Sequence, residues 1–175
     1  GLIWMGDPAF MKQQINAKLA AGFSCIKLKI GAIDFDKELE LMRSIRQEFD
    51  ADTIEIRVDA NGAFKPNEAL EKLKRLSDYN LHSIEQPIRH GQVDDMAQLC
   101  SETPLPIALD EELIGVFSVT EKQFLLQTIK PQYIILKPTL VGGFKGSQEW
   151  ITLAESNQIG WWVTSALESN IGLNA

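Results

Sequence analysis

The stretch Cys25–Ile30, with the sequence CIKLKI, is a short apolar run in which two lysines stand two residues apart. Residues i and i+2 of a β-strand face the same side, so Lys27 and Lys29 are predicted to point together from one face. Similar runs follow along the chain, and several are almost wholly apolar, which is typical of parallel strands buried on both faces. The predicted strands are Leu2–Met5, Cys25–Ile30, Ile54–Asp59, His82–Glu85, Ile107–Asp110, Tyr133–Lys137 and Trp161–Ser165.

Amphipathic stretches with helix signals separate these strands. Asp7 followed by Pro8 is typical of a helix start, and Gly22 is suited to end that helix. Ser118 and Glu121 have the spacing of a capping box, and a sixth helix is expected from about residue 146 to 157. Strands that alternate with helices in this way predict an α/β fold with a parallel sheet.

The polar residues that end the strands recur once per βα unit, at intervals of about 25–30 residues. They are Lys29, Asp59, Glu85, Asp110, Lys137 and Ser165. Seven strands in sequence favour a TIM-type (β/α) barrel, whose complete form has eight strands and about 250 residues. We therefore expect residues 1–175 to form a single, incomplete barrel domain with about seven of the eight strands.

Composition and charge narrow the possible partners and the compartment. The formal net charge is −7, which disfavours nucleic acid and anionic membrane surfaces as partners. Cys25 and Cys100 lie in unrelated contexts without zinc-site spacing, and neither a signal peptide nor a membrane-spanning apolar run is visible. These features predict a cytoplasmic protein with a small-molecule substrate.

Three carboxylates are predicted to meet at the mouth of the barrel, because active sites form at the C-terminal ends of its strands. Asp59, Glu85 and Asp110 end three successive strands, in RVDAN, SIEQP and IALDEE. Any one of them could simply begin a loop or cap a helix, but three together would repel one another unless a cation joined them. All-oxygen ligands select a hard metal, so we expect Mg²⁺, with Mn²⁺ as an alternative.

Three lysines are expected at the same mouth. Lys27 and Lys29 share one strand, and Lys137 ends the strand YIILKP on the opposite wall. Lysines gathered beside one another are expected to have lowered pKa values, which is what a general base requires. The alternative is a pair of lysines in salt bridges at a sheet edge.

The ordered set of Lys-x-Lys, Asp, Glu, Asp and Lys resembles the muconate-lactonizing branch of the enolase superfamily. Within that branch, ILKPTLVGG (135–143) and TSALESNIGL (164–173) resemble the o-succinylbenzoate synthase family of menaquinone biosynthesis. The resemblance implies a carbon–oxygen lyase that dehydrates 2-succinyl-6-hydroxy-2,4-cyclohexadiene-1-carboxylate. The reaction would use magnesium and an enediolate formed when a lysine takes a proton.

The resemblance also assigns roles to individual residues. Lys29 would be the base and would assist loss of water on the same face, Lys137 would stabilise the enediolate by its charge, and Lys27 would help electrostatically. The metal ligands would be Asp59, Glu85 and Asp110. The succinyl side chain would be held by Ser165, Glu168 and Ser169.

Other residues lie next to the expected ligands. Asn61, Gln86 and Glu111 are predicted to support the metal site, although a role in loop structure is an equally good interpretation of the first two. Glu111 could contact the metal or orient Lys137. Glu112 is expected to lie on the loop surface.

Several alternatives stay open. An N-acylamino acid racemase or a dipeptide epimerase of the same superfamily would use both lysines as bases, although the epimerase usually carries Asp-x-Asp where this sequence has TSALES. Muconate cycloisomerase fits the loops less well. The family's N-terminal capping domain and its last barrel strand are expected to be absent, so the chain could also be an inactive barrel fragment. Its exposed strand edges could favour an oligomer.

Overall fold

The computed structural model describes residues 1–174 and contains one seven-stranded sheet. The strands are parallel and lie side by side in chain order. They are β1 (Leu2–Ile3), β2 (Cys25–Lys29), β3 (Glu55–Asp59), β4 (Ser83–Glu85), β5 (Ile107–Leu109), β6 (Tyr133–Leu136) and β7 (Gly160–Val163). Such a curved parallel sheet, with a helical segment after every strand, confirms the predicted truncated (β/α) barrel.

The helices lie between consecutive strands, except for the last. They are α1 (Pro8–Ala20), α2 (Phe35–Glu48), α3 (Pro66–Ser77), α4 (Val93–Glu102), α5 (Val119–Ile129), α6 (Gly143–Ser156) and α7 (Asn170–Leu173), with a short 3-10 turn at Glu111–Leu113. The Asp7 carboxylate caps α1 by accepting from the Phe10 N–H, at 2.9 Å. One half of the capping box predicted for α5 is present, since the Ser118 hydroxyl accepts from the Glu121 N–H at 3.4 Å.

Packing between the sheet and the helices explains the apolar strands. Ile26 and Leu28 of β2 are fully buried in one continuous core with side chains from the helices, such as Met42 and Leu73. The lysines that alternate with them therefore face the other side of the sheet, towards the barrel interior. This alternation places polar groups inside the barrel mouth without exposing the core.

The strand register brings three of the predicted site residues into one row. Lys29 of β2 lies opposite Asp59 of β3, and Asp59 lies opposite Glu85 of β4. Lys27 lies one layer deeper, opposite Arg57. Adjacent parallel strands are about 4.8 Å apart, so the side chains in this row must interact directly.

The observed strands differ from the predicted ones mainly at their ends. β5 and β6 stop one residue before Asp110 and Lys137. Asp110 has already left extended geometry, with φ −123° and ψ −77°, and Lys137 is followed by Pro138, which cannot donate a ladder hydrogen bond. Both side chains therefore project from the first loop residue after a strand.

α6 begins three residues earlier than its predicted start. Gly142 and Gly143 adopt left-handed φ values of 100° and 68°, which turn the chain directly into the helix. Trp150 and Ala154 of α6 are fully buried. The start near residue 146 was wrong because the sequence pattern does not reveal this glycine turn.

The sheet is open between its two outer strands. Within residues 1–174, β1 pairs only with β2 and β7 pairs only with β6. In the same residues no helix is long and apolar enough to cross a membrane.

Gly146 allows a test of how closely α6 packs against the turn that precedes it. A Cβ atom on Gly146 would lie 2.1 Å from the Val141 carbonyl oxygen, so the backbone would have to shift. Gly146→Ala is expected to lower the free energy of unfolding by about 1–3 kcal/mol, as overpacking usually does. Urea unfolding would measure it, with Thr152→Ala, an exposed position of the same helix, as the control. Equal stability of the two variants would contradict the close approach of α6 to Val141.

Candidate active site

Lys27 connects two carboxylates at the centre of the mouth. Its ammonium lies 2.9 Å from Asp59 Oδ2 and donates a close hydrogen bond to Glu85 Oε2. Both carboxylates are almost fully buried. The Lys27 ammonium thus lies between two carboxyl groups that water can scarcely reach.

The pKa values of these two carboxyl groups shift in opposite directions. Burial raises the pKa of Asp59, but the charge of Lys27 and hydrogen bonds from both lysines outweigh it and leave that pKa below its usual value. Burial and the negative charge of Asp59 raise the pKa of Glu85 well above its usual range, and Lys27 offsets them only in part. Burial and the neighbouring Asp59 therefore favour the protonated form of Glu85, while Asp59 keeps its negative charge beside Lys27.

Lys29 lies at the outer edge of this row. Its ammonium donates to Asp59 Oδ2 at 2.5 Å and to Asn61 Oδ1 at 2.8 Å. Asn61 in turn donates from Nδ2 to Glu111 Oε1 at 2.9 Å, and its own N–H donates to Asp59 Oδ1 at 3.0 Å. Asn61 and Glu111 therefore contact the lysine and carboxylate network, while their predicted role in supporting a metal stays a prediction.

Lys137 occupies the opposite wall and pairs with Asp110. The ammonium donates to Asp110 Oδ2, and Asp110 is almost fully buried. Burial lowers the pKa of Lys137, but the hydrogen bond and charge of Asp110, with the charges of Glu85 and Glu111, raise it above its ordinary value.

The expected lowering of the lysine pKa values is therefore wrong for Lys27 and Lys137. Burial does act to lower the pKa of Lys27, but the charges of Glu85 and Asp59 dominate and raise it. The expectation counted neighbouring lysines, whereas each of these two ammonium groups lies closest to a carboxylate.

Gln86 and Glu112 join the loops below this network. Gln86 is fully buried, and its side chain contacts backbone groups of Asp110 and Glu112 as well as the Glu112 carboxylate. The prediction that Glu112 lies on the loop surface is wrong, since it is only 7% exposed. The Gly91 N–H and the Gln86 amide bind its carboxylate and compensate for its burial.

The residues predicted to hold the substrate side chain follow β7. The half-buried Glu168 carboxylate accepts from Thr139 Oγ1 at 2.8 Å and from the Ala166 N–H at 2.6 Å, and these bonds lower its pKa to about 2. Ser165 and Ser169 are exposed, and the Ser165 hydroxyl accepts from the Leu167 N–H. A cavity of about 690 Å³ adjoins Ser165 and Glu168. Glu168 thus ties the loop after β7 to the loop after β6.

Sequence reasoning missed one buried acid close to the predicted base. Glu38 of α2 is 1% exposed, and its carboxylate accepts from the Gly31 N–H at 2.6 Å, just beyond Lys29. Burial raises the pKa of Glu38 despite this contact. The available signal was an acid on the apolar side of α2, one residue before Leu39.

The donor chemistry of the mouth fits a hard divalent cation. Asp59, Glu85 and Asp110 present carboxylate oxygens, and among the described residues Glu85 Oε1 and Glu111 Oε2 are buried without a hydrogen-bond partner. Within residues 1–174, however, no three acidic, cysteine or histidine side chains surround a single point closely enough to form a preformed metal cluster. The structure instead brings Asp59 and Glu85 together around Lys27, while Asp110 pairs with Lys137.

A family model, described as enolase C-terminal domain-like, matches residues 11–175. The chain belongs to this family. The enolase-type assignment made from the lysine and carboxylate order is thereby confirmed, and so is the interpretation of the open barrel as an enolase-type C-terminal domain.

Two relatives and one crystal structure show which members of the family this chain resembles. The chain is 61% identical over 175 residues to the o-succinylbenzoate synthase of Desulfotalea psychrophila, covering 100% of this chain and 47% of that protein. It is 26% identical to the L-Ala-D/L-Glu epimerase of Bacillus subtilis, over 98% of this chain and 46% of that protein. The crystal structure of MenC from Desulfotalea psychrophila LSv54 superposes with a TM-score of 0.91 and 59% identity, over 99% of this chain and 48% of that one. This enolase-type chain therefore spans about half the length of the relatives it matches.

Proposed function

We propose that the full-length protein containing this chain is a magnesium-dependent o-succinylbenzoate synthase of menaquinone biosynthesis in the cytoplasm. One observation carries the proposal. In a chain 61% identical to an o-succinylbenzoate synthase, Lys29 and Lys137 lie at one barrel mouth with three buried carboxylates. The reaction is the loss of water from 2-succinyl-6-hydroxy-2,4-cyclohexadiene-1-carboxylate. We also propose that the full-length enzyme has a capping domain and a last barrel strand.

Lys29 acts as the base in the proposed reaction. In its neutral form its Nζ takes the proton from the ring carbon that bears the carboxylate, and the electron pair moves into the carboxylate to give an enediolate. The electrons then return, the hydroxyl group leaves the adjacent carbon on the same face, and Lys29 returns its proton to form water. Asn61 orients the Lys29 amine through its 2.8 Å hydrogen bond.

Lys137 acts as a fixed cation. Its ammonium stays protonated beside Asp110 and stabilises the negative charge that develops on the substrate. The raised pKa of Lys137 suits this role better than that of a base. Lys27 remains protonated between Asp59 and Glu85 and helps to keep both carboxylates in place.

The proposed metal ligands are Asp59, Glu85 and Asp110, and the ion is Mg²⁺, with Mn²⁺ as an alternative. A bound divalent cation supplies positive charge for the substrate carboxylate and its enediolate form. The loop that carries Ser165, Glu168 and Ser169 is proposed to bind the succinyl side chain.

A second candidate is an N-acylamino acid racemase or dipeptide epimerase. The relative named L-Ala-D/L-Glu epimerase, 26% identical over nearly the whole chain, supports it. Lys29 and Lys137 would then each exchange an α-proton from opposite faces. A third candidate, for the 175-residue chain alone, is an inactive barrel fragment, which the open edge between β1 and β7 supports.

Metal removal and restoration test the first proposal. Full-length protein treated with a chelator is expected to lose dehydration of the cyclohexadiene carboxylate, and Mg²⁺ should restore it. Product formation would be followed by the absorbance of the aromatic ring. An N-acylamino acid and a dipeptide in D₂O form the second arm. Exchange at the α-carbon without any dehydration would replace the first proposal by the second, and equal dehydration with and without chelator would reject the magnesium requirement.

A further inference from the structure

Gln86 has a backbone geometry that a non-glycine residue adopts rarely. It follows β4 directly, with a left-handed φ of 40°, and it is fully buried. Its N–H donates to the Ala108 carbonyl at 2.9 Å, and its carbonyl accepts from the Gly62 N–H at 2.7 Å. Such a conformation persists only where the surroundings hold it, and it often marks a functional position.

The side-chain amide of Gln86 forms four hydrogen bonds. Its oxygen accepts from the N–H groups of Asp110, at 3.2 Å, and Glu112, at 3.3 Å. Its nitrogen donates to the Ile88 carbonyl and to Glu112 Oε2, both at 3.1 Å. Two donors on one side and two acceptors on the other match an amide and do not match a carboxylate or an apolar group.

Glu112 connects Gln86 to Gly91, further along the loop after β4. Its Oε1 accepts from the Gly91 N–H at 2.9 Å, while Oε2 accepts from Gln86. The loop after β4 is thus joined at two places to the turn after β5, through the buried side chains of Gln86 and Glu112.

We propose that Gln86 and Glu112 are positioning residues for the metal site: their buried pair fixes the turn at residues 110–113, and so directs the carboxylates of Asp110 and Glu111 into the mouth. The inference rests on the metal site of the proposed function. Asp110 leaves the turn towards Lys137, and Glu111 leaves it towards Asn61. Because the Gln86 carbonyl also holds Gly62, a single residue aligns the loops after β3, β4 and β5.

The pair can be tested by exchanging its two groups, because the Gln86 amide donates and the Glu112 carboxylate accepts. Gln86→Glu keeps the shape but places two carboxylates in contact. In the double variant Gln86→Glu/Glu112→Gln, the new carboxylate accepts from both turn N–H groups and from the new amide, whose oxygen can still accept from Gly91. The bond to the Ile88 carbonyl is lost, and a carboxylate oxygen then lies against that carbonyl oxygen, so recovery is expected to be incomplete. The matched control is Gln127→Glu, the same change at an exposed position of α5.

The experiment uses full-length protein and two measurements. The first is amide hydrogen exchange at Asp110 and Glu112 without metal, and the second is titration with Mg²⁺ alone by calorimetry. Gln86→Glu is expected to lose exchange protection at both amides and to bind Mg²⁺ about 10- to 100-fold more weakly, the usual effect of losing a group that orients a metal ligand. The double variant should recover most of both, and the control should match wild type.

Several results would overturn the inference. Unchanged exchange and Mg²⁺ affinity in Gln86→Glu would do so, as would a double variant that is no better than the single one, or wild-type protein that does not bind Mg²⁺. If Gln86→Glu does not fold, Glu112→Gln alone decides, since it removes one acceptor without adding charge. Mg²⁺ binding that depends on this pair, in an enzyme that does not dehydrate the substrate, would refute the proposed function and leave this inference intact.

Discussion

Replacing Lys29 with arginine or alanine in the full-length protein is expected to lower kcat for dehydration by about 10²- to 10⁴-fold, the usual contribution of a general base. Arginine keeps the positive charge beside Asp59 and Asn61 but stays protonated, so it cannot accept the substrate proton. Both variants should therefore be nearly inactive. Steady-state kinetics would show the loss mainly in kcat, with KM much less affected.

Lys137 supplies the comparison that separates a base from a cation. Lys137→Arg preserves the charge beside Asp110 and should retain far more activity than Lys137→Ala, whereas the two Lys29 variants should be equally poor. Lys74→Ala, at an exposed position of α3, is the control. Substantial activity in Lys29→Arg would show that Lys29 acts through its charge alone. Equal losses in Lys29→Arg and Lys137→Arg would favour two bases, as in the racemase alternative.

The positions of the principal site residues could be predicted because they depend on strand periodicity. Apolar runs that end in polar groups mark parallel strands, and the C-terminal ends of such strands meet at one mouth. Lys29, Asp59 and Glu85 accordingly lie in one row of the sheet. The order of residues along the chain was therefore enough to identify both the fold and the groups at its mouth.

The interactions between those groups could not be predicted in the same way. Lys27 lies two residues before Lys29, but its ammonium binds Glu85 from another strand, and this contact raises its pKa. The burial of Glu112 depends on Gln86 and Gly91, which belong to a different loop. Local sequence patterns do not report contacts between loops, so the pKa directions and the buried acid became visible only in the structure.

Replacing Glu85 with glutamine is expected to change stability in opposite directions without and with Mg²⁺. In metal-free protein the pKa of Glu85 is raised above its ordinary value of 4.5 by burial and by Asp59. The folded state therefore binds this proton more tightly than the unfolded state, and stability falls as the pH rises from about 4.5 through the raised pKa. Glutamine lacks this penalty, so metal-free Glu85→Gln should have a higher Tm than wild type near neutral pH.

With Mg²⁺ bound, the wild-type protein should instead have the higher Tm. Wild-type protein should gain stability with increasing Mg²⁺, because a ligand that binds only the folded state stabilises it by mass action. Glu85→Gln removes a proposed ligand and should bind Mg²⁺ at least about 100-fold more weakly, the upper end of the effect of losing an orienting group. Thermal unfolding near neutral pH, with chelator and with Mg²⁺, would measure both effects, and Glu71→Gln on the exposed side of α3 is the control. An equal rise in Tm with Mg²⁺ for Glu85→Gln and wild type would remove Glu85 from the metal site, whereas a lower metal-free Tm would show that Lys27 stabilises its charge more than burial and Asp59 oppose it.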